Sequence, residues 1–144
     1  MNLVDANVLL YAVNEADPKH GESREWLDGA MGGDEPVGLA WTVLLAFVRL
    51  STKVGLFPRP LPGDAALARV RAWLGQPPSV IVEPTVRHVD VLAGLLSDVG
   101  PGANLVNDAH LAALALEHNA RVITYDSDFG RFTGVGWRRP SAHL

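Results

Sequence analysis

Short apolar runs alternate with longer segments of helical periodicity along the chain. The apolar runs are rich in Val, Ile and Leu and predict buried strands. Residues 8–13 stay apolar without alternation, as is typical of a buried strand that feeds a helix, and Asn7 is the predicted helix cap. Regular alternation of strands and helices predicts an α/β fold with a parallel sheet. The predicted strands are residues 1–4, 37–40, 79–82, 121–124 and 135–137.

Prolines, glycines and acidic residues mark the ends of the predicted helices. Asp17, followed by a proline, predicts the start of the second helix, and Asp64 is the predicted cap of a helix that ends before Gly75. The sequence Gly-Pro-Gly at residues 100–102 ends the helix before it. The predicted helices are residues 17–29, 42–53, 64–74, 86–96 and 107–117.

Length and composition predict one soluble domain that spans residues 1–144. A chain of 144 residues typically buries about two-thirds of the surface that its unfolded form exposes. Its 48% hydrophobic and 19% charged residues are ordinary for a globular protein. The absence of cysteine excludes disulfides and thiolate zinc sites. The longest apolar run is too short to span a membrane, so we expect a cytoplasmic protein.

The charges are unevenly distributed, although the net charge is −4. Residues 1–35 are strongly acidic, residues 36–82 are basic, and the tail from Phe129 onward carries three arginines and no acid. Two basic segments could therefore flank an acidic centre and hold the phosphates of a nucleic acid. The alternative is that these basic residues are solvated helix faces.

Four acidic residues stand at predicted strand and helix ends: Asp5, Asp108, Asp126 and Asp128. The carboxyl ends of parallel strands meet in one crevice, so residues distant in sequence can form a single site. Hard cations such as Mg²⁺ prefer carboxylate oxygens and often need only one or two of them. Each acid also has a structural explanation, because Asp5 and Asp108 suit a helix start and the other two suit a turn.

Three sequence blocks closely resemble PIN-domain proteins, specifically VapC-type toxins. They are LVDANVLL at residues 3–10, NDAHLAALA at 107–115 and ITYDSDF at 123–129. The resemblance implies a three-layer α/β/α fold with a central, mostly parallel sheet. It also implies an endoribonuclease that depends on Mg²⁺ or Mn²⁺, neutralisation by a VapB-type antitoxin, and a homodimer.

The resemblance assigns roles to particular residues. Asp5, Asp108 and Asp126 match the metal-site acids of the family, and Asp128 matches an additional acid beside them. Two polar residues, Asn7 and Thr124, match neighbours that orient the site. Arg49 is a further candidate, because it could neutralise a substrate phosphate if it faces the crevice.

One departure from the family pattern affects the expected metal site. The family often carries a glutamate in the middle helix, and we expect Ala46 to occupy that position here. The site therefore has fewer metal ligands than the family pattern implies. The alternative of a non-catalytic PIN-like module that binds RNA or protein stays open for this reason. A phosphoaspartyl hydrolase is less favoured, because its second aspartate is replaced by Asn7. The histidines form no His-Glu-x-x-His zinc motif.

Overall fold

Five parallel strands form a sheet in the part of the chain that the structure describes. The structure is a computed structural model, and it describes residues 1–100 and 104–141. The strand order is β3-β2-β1-β4-β5, and every neighbouring pair is parallel. The strands are β1 (Asn2–Val4), β2 (Val37–Leu39), β3 (Ser79–Ile81), β4 (Arg121–Ile123) and β5 (Trp137–Arg138).

Helices cover both faces of this sheet. They are α1 (Ala6–Val13), α2 (His20–Met31), α3 (Trp41–Ser51), α4 (Gly63–Leu74), α5 (His88–Val99) and α6 (Val106–Glu117). The connections from β1 to β2 to β3 step in one direction, and the connection from β3 to β4 returns in the other. Because such crossovers are right-handed, α1 to α4 lie on one face and α5 and α6 on the other. This confirms the three-layer α/β/α arrangement.

The core lies between the sheet and its two helical layers. The strands supply fully buried residues such as Leu3 and Ile123, as expected for a parallel sheet covered on both faces. The helices contribute Leu44, Phe47 and Leu114, which are also fully buried. No helix in residues 1–100 and 104–141 is long and apolar enough to cross a membrane.

Several helix and strand boundaries predicted from the sequence are wrong. Residues 8–13 belong to α1 rather than to a strand, and Asn7 lies inside that helix while Asp5 caps it. The predicted start of the second helix at Asp17 is also wrong, since α2 begins at His20. Pro62 occupies the cap position of α4, and Asp64 lies in the first turn. Of the predicted Gly-Pro-Gly break, residues 101 and 102 lie outside the described residues.

The strand order reverses its direction next to β1. After β1 the chain moves to β2 on one side, whereas β4 joins β1 from the other side. In open α/β sheets, ligands bind outside the carboxyl ends of the strands at such a switch point. The fold therefore points to the ends of β1 and β4 as the place for a site.

Candidate active site

Asp5 lies where β1 ends and α1 begins. One oxygen of its carboxylate accepts the backbone N–H of Ala6 at 2.7 Å and so caps the helix. The other oxygen accepts the hydroxyl of Thr124 at 2.7 Å and the amide of Asn7 at 3.4 Å. Burial raises the pKa of Asp5, although the hydrogen bonds from Thr124 and Ala6 act in the opposite direction. Asp5 is thus held in one orientation at the switch point.

Thr124 connects the two strand ends through one buried hydroxyl. This hydroxyl donates to Asp5 and accepts hydrogen bonds from the Asn7 amide at 3.1 Å and from the backbone N–H of Asp126 at 3.0 Å. The Asn7 side chain also accepts the backbone N–H of Tyr125 at 3.2 Å. The hydroxyl therefore uses its single proton and both acceptor positions. It fixes the segment after β4 relative to β1 and α1.

Asp108, Asp126 and Asp128 form a carboxylate triad. Each offers an oxygen that lies within 4.8 Å of the oxygens of the other two. Asp108 projects from the first turn of α6, while Asp126 caps a short 3₁₀ helix, Ser127–Arg131, and accepts the backbone N–H of Asp128 at 2.9 Å. Asp5 is not a member of this triad, but its negative charge acts on Asp108.

The pKa of Asp108 shows how strongly the acids interact. Burial is the largest cause of its rise to about 6, followed by the negative charges of Asp126, Asp5 and Asp128. A helix N-terminus stabilises an ionised carboxylate, so the burial and repulsion at this site outweigh the helix dipole. A divalent cation would relieve that repulsion, and carboxylate oxygens are the ligands that Mg²⁺ prefers. The residues present therefore fit such an ion.

A crevice of about 570 Å³ opens beside these acids. Asp5 and Asp108 line it together with one side of α3. Ala46 lies on that side, so the position expected for the family glutamate does face the crevice. Arg49 follows it one turn later, lines the same crevice and forms no ion pair with any described residue. Of the predicted site residues, Asp5, Arg49 and Asp108 thus line this opening, and Asp126 and Asp128 lie close to it through their triad with Asp108.

Some residues of the crevice were not predicted from the sequence. Thr42 and Asn107 also line it. Asn107 directly precedes Asp108 in one of the three family-like blocks, and Thr42 precedes Ala46 by one helical turn. Those positions were signals that these residues would lie at the crevice. The apolar part of the lining comes from Val43, Leu45, Val48 and Leu111.

The arrangement is suited to binding a cation and a phosphate together. Asp108 of the carboxylate triad and Arg49 line the same crevice at the switch point of a parallel sheet, and Arg49 has no carboxylate partner among the described residues. The PIN domain matches residues 3–135 of the chain.

The chain belongs to the PIN-domain family.

A close relative places this PIN-domain protein among those of the VapC type. Ribonuclease VapC37 of Mycobacterium tuberculosis is 64% identical to it over 144 residues, and the match covers 100% of both chains. The expected family is therefore confirmed. The three blocks that carry the resemblance coincide with the strand and helix ends around the crevice.

Solved structures share the PIN fold. VapC20 of Mycobacterium tuberculosis, described as a sarcin-ricin loop cleaving toxin, has a TM-score of 0.72 and 18% identity, over 97% of this chain and 100% of that chain. A chain of VapBC2 from Rickettsia felis, solved with a promoter DNA fragment, has a TM-score of 0.67 and 16% identity. That match covers 96% of this chain and 97% of the other. The expected fold class is thus confirmed.

Proposed function

We propose that this PIN-domain protein is a metal-dependent endoribonuclease that acts as the toxin of a VapBC-type toxin-antitoxin system in the cytoplasm. The proposed cofactor is Mg²⁺, for which Mn²⁺ can substitute. The observation that carries the proposal is the triad of Asp108, Asp126 and Asp128 beside Asp5. Full-length identity of 64% to a protein named a ribonuclease supports it.

Each site residue has a separate part in the proposed reaction. Asp108, Asp126 and Asp128 would hold the ion, with Asp5 beside them. The bound ion would supply Lewis-acid stabilisation of phosphate charge and a water of lowered pKa.

Arg49 would neutralise the phosphate from the α3 side of the crevice. Asn7 and Thr124 would act as positioning residues, because their hydrogen bonds fix Asp5 and the segment that carries Asp126.

The proposed partners are an RNA substrate, a VapB-type antitoxin and a second copy of this chain. The Rickettsia felis neighbour supports the antitoxin, because that structure is a VapBC2 assembly of the same toxin fold. Antitoxin and homodimer are testable by co-expression of this chain with a VapB-type protein, for which a short adjacent reading frame that encodes a DNA-binding protein would be the candidate. Light scattering then gives the mass of the complex and of this chain alone. Growth arrest on expression of this chain should be relieved by co-expression of that antitoxin and should not occur with Asp5→Ala.

Asp108→Asn is the first test of catalysis. The variant should reduce cleavage of single-stranded RNA in Mn²⁺ to background, because the amide removes one of three clustered negative charges. Wild-type cleavage should likewise stop with a chelator. Asp64→Asn is the matched control, since Asp64 also lies in the first turn of a 12-residue helix but outside the crevice.

A second candidate is a non-catalytic module that binds RNA or protein. The observation that favours it is Ala46, which leaves the crevice without the glutamate carboxylate that the family often has there. RNA binding that is indifferent both to metal and to Asp108→Asn would support this module. Cleavage lost in Asp108→Asn and retained in Asp64→Asn would support the enzyme.

A further inference from the structure

Two tyrosines pack against each other beside the acidic site. The rings of Tyr11 and Tyr125 lie edge to face, with centroids 5.2 Å apart and an interplanar angle of 76°. Tyr125 lies between Thr124, which holds Asp5, and Asp126 of the carboxylate triad. The tyrosine pair is therefore attached to the same segment as the proposed metal ligands.

Hydrogen bonds on several sides fix this tyrosine pair. The Tyr125 hydroxyl shares a 2.7 Å hydrogen bond with the buried hydroxyl of Ser23 in α2. Its backbone N–H donates to Asn7, and the backbone carbonyl of Tyr11 lies 2.9 Å from Nδ1 of His20. The Tyr125 ring is thus held by its hydroxyl, and the Tyr11 ring packs edge to face against it.

Lys19 lies over both rings. Its ammonium nitrogen is 5.3 Å from the ring centroid of Tyr11 and 5.8 Å from that of Tyr125, within the range of a cation–π contact. The carboxylate of Asp17 accepts the backbone N–H of Lys19 at 2.8 Å, yet no described carboxylate forms an ion pair with the ammonium. The ammonium thus contacts two aromatic rings and has no ion-pair partner among the described residues, although the negative charges of Asp17 and Glu22 act on Tyr125 beside it.

Lys19 and Arg49 are carried by different parts of the fold, and Lys19 is linked to the acids through Tyr125, which directly precedes Asp126. Arg49 lines the crevice from α3, whereas Lys19 lies between α1 and α2 and reaches the segment that follows β4. A nucleic acid strand over the acids carries a phosphate at every nucleotide, so it needs a cation beyond the one at the scissile bond. The acidic cluster itself repels those phosphates.

We propose that Lys19, oriented by Tyr11 and Tyr125, binds a phosphate of the RNA strand next to the phosphate that is cleaved. The ligand is thus the backbone of single-stranded RNA, independent of base sequence. Lys19 is a substrate-binding residue here and has no part in bond breaking. This inference rests on the proposed function, because it deepens the description of the same site.

The salt dependence of RNA binding tests the proposal. Each phosphate contact with a single strand contributes about 0.7 to the slope of log affinity against log salt concentration. Lys19→Met keeps the apolar stem over the rings but removes the charge, so it should weaken binding of a short labelled RNA and reduce the slope by about 0.7. Lys19→Arg should restore the wild-type slope. All binding is measured on the Asp108→Asn background.

Lys53→Met is the matched control, since Lys53 is exposed, follows α3 and does not line the crevice. It should leave the slope unchanged. In the cleaving protein, Lys19→Met should raise KM with little change in kcat, which a purely structural role would not produce. An unchanged slope and KM in Lys19→Met would overturn the role of Lys19. If the wild-type protein binds RNA but does not cleave it, the proposed function is contradicted. The salt slope of RNA binding in Lys19→Met would still test the role of Lys19.

Discussion

Ala46 is the residue at which this chain departs most clearly from the family pattern. It lines the crevice beside Asp5 and Asp108, so a longer side chain there would point toward the acids. The residues that remain supply a triad without any ligand from α3. The middle helix therefore gives the site its shape and Arg49, but no negative charge.

Ala46→Glu should strengthen the binding of Mn²⁺ and lower the stability of the metal-free protein. The added carboxylate supplies an oxygen ligand when the ion is bound, but it joins a cluster whose members already repel one another. Calorimetric titration should therefore show a lower Kd for Mn²⁺, and the melting temperature in chelator should fall. Ala46→Gln is the control, because it adds similar bulk without charge. If both variants bind Mn²⁺ equally well, Ala46 does not face the ion.

Some residues of the site follow directly from the sequence, and others depend on the fold. Asp5 was predictable from its place after an apolar run, and Asp108 from its place at a helix start. Asp128 was predicted only as a supporting acid, whereas its oxygen joins those of Asp108 and Asp126. A 3₁₀ turn sets that orientation, and hydrophobic periodicity carries no information about it. The contact of Lys19 with Tyr125 is tertiary and leaves no sequence pattern.

At the scale of elements, α5 and α6 are joined by a half-buried polar network. The Glu117 carboxylate accepts hydrogen bonds from the backbone and hydroxyl of Thr85 and lies against Nδ1 of His88. The second nitrogen of His88 is 2.9 Å from Nδ1 of His110. The Glu117 side chain is fully buried, so its charge depends on these partners. The network fixes α6, which carries Asp108.

Glu117→Gln should flatten the acid dependence of stability. Burial raises the pKa of Glu117, but hydrogen bonds from Thr85 and His88 outweigh it and hold the pKa below the ordinary value of 4.5. A lowered pKa in the folded state means that stability is present above about pH 4.5 and lost as the pH falls further. Urea unfolding across this range should show a smaller loss in Glu117→Gln. An equally steep loss in both proteins would show that other carboxyls dominate.

The elements themselves were largely predictable, and their ends were less so. All five strands and the helices from α2 to α6 lie within a few residues of the apolar and periodic segments that predicted them. The first helix was the main error, because the apolar run of six residues at 8–13 suits a strand or a buried helix equally. The cap decided between them, since the Asp5 side chain bonds the N–H of Ala6.

At the scale of the whole molecule, pH and metal should be linked through Asp108. Burial and the neighbouring carboxylates raise its pKa to about 6, so the folded protein holds this proton more tightly than the unfolded chain. Metal-free stability should therefore fall as the pH rises from about 4 to about 6 and then level off. A bound cation needs the ionised form, so its stabilisation should appear over the same range.

Mg²⁺ or Mn²⁺ should raise the melting temperature more at about pH 8 than at about pH 5. At a hundredfold excess over Kd, binding adds about 2.7 kcal/mol to the free energy of unfolding. Removal of the ion by a chelator should reverse the rise. Asp108→Asn should reduce both the rise in melting temperature caused by the metal and the pH dependence of the melting temperature. A metal effect of equal size at both pH values would contradict this linkage.

The central position of β1 has a consequence for the order of events during synthesis. Thr124 follows Asp5 by 119 residues, and β1 acquires one of its two neighbouring strands only when β4 has formed. Translation proceeds at about 5–20 residues per second. The nascent chain therefore lacks a complete carboxylate triad for several seconds of its synthesis. A chain that ends before Asp126 lacks two of the three acids of the triad, so we expect it to lack the proposed nuclease activity. The proposed nuclease activity should thus arise only after translation has passed Asp128.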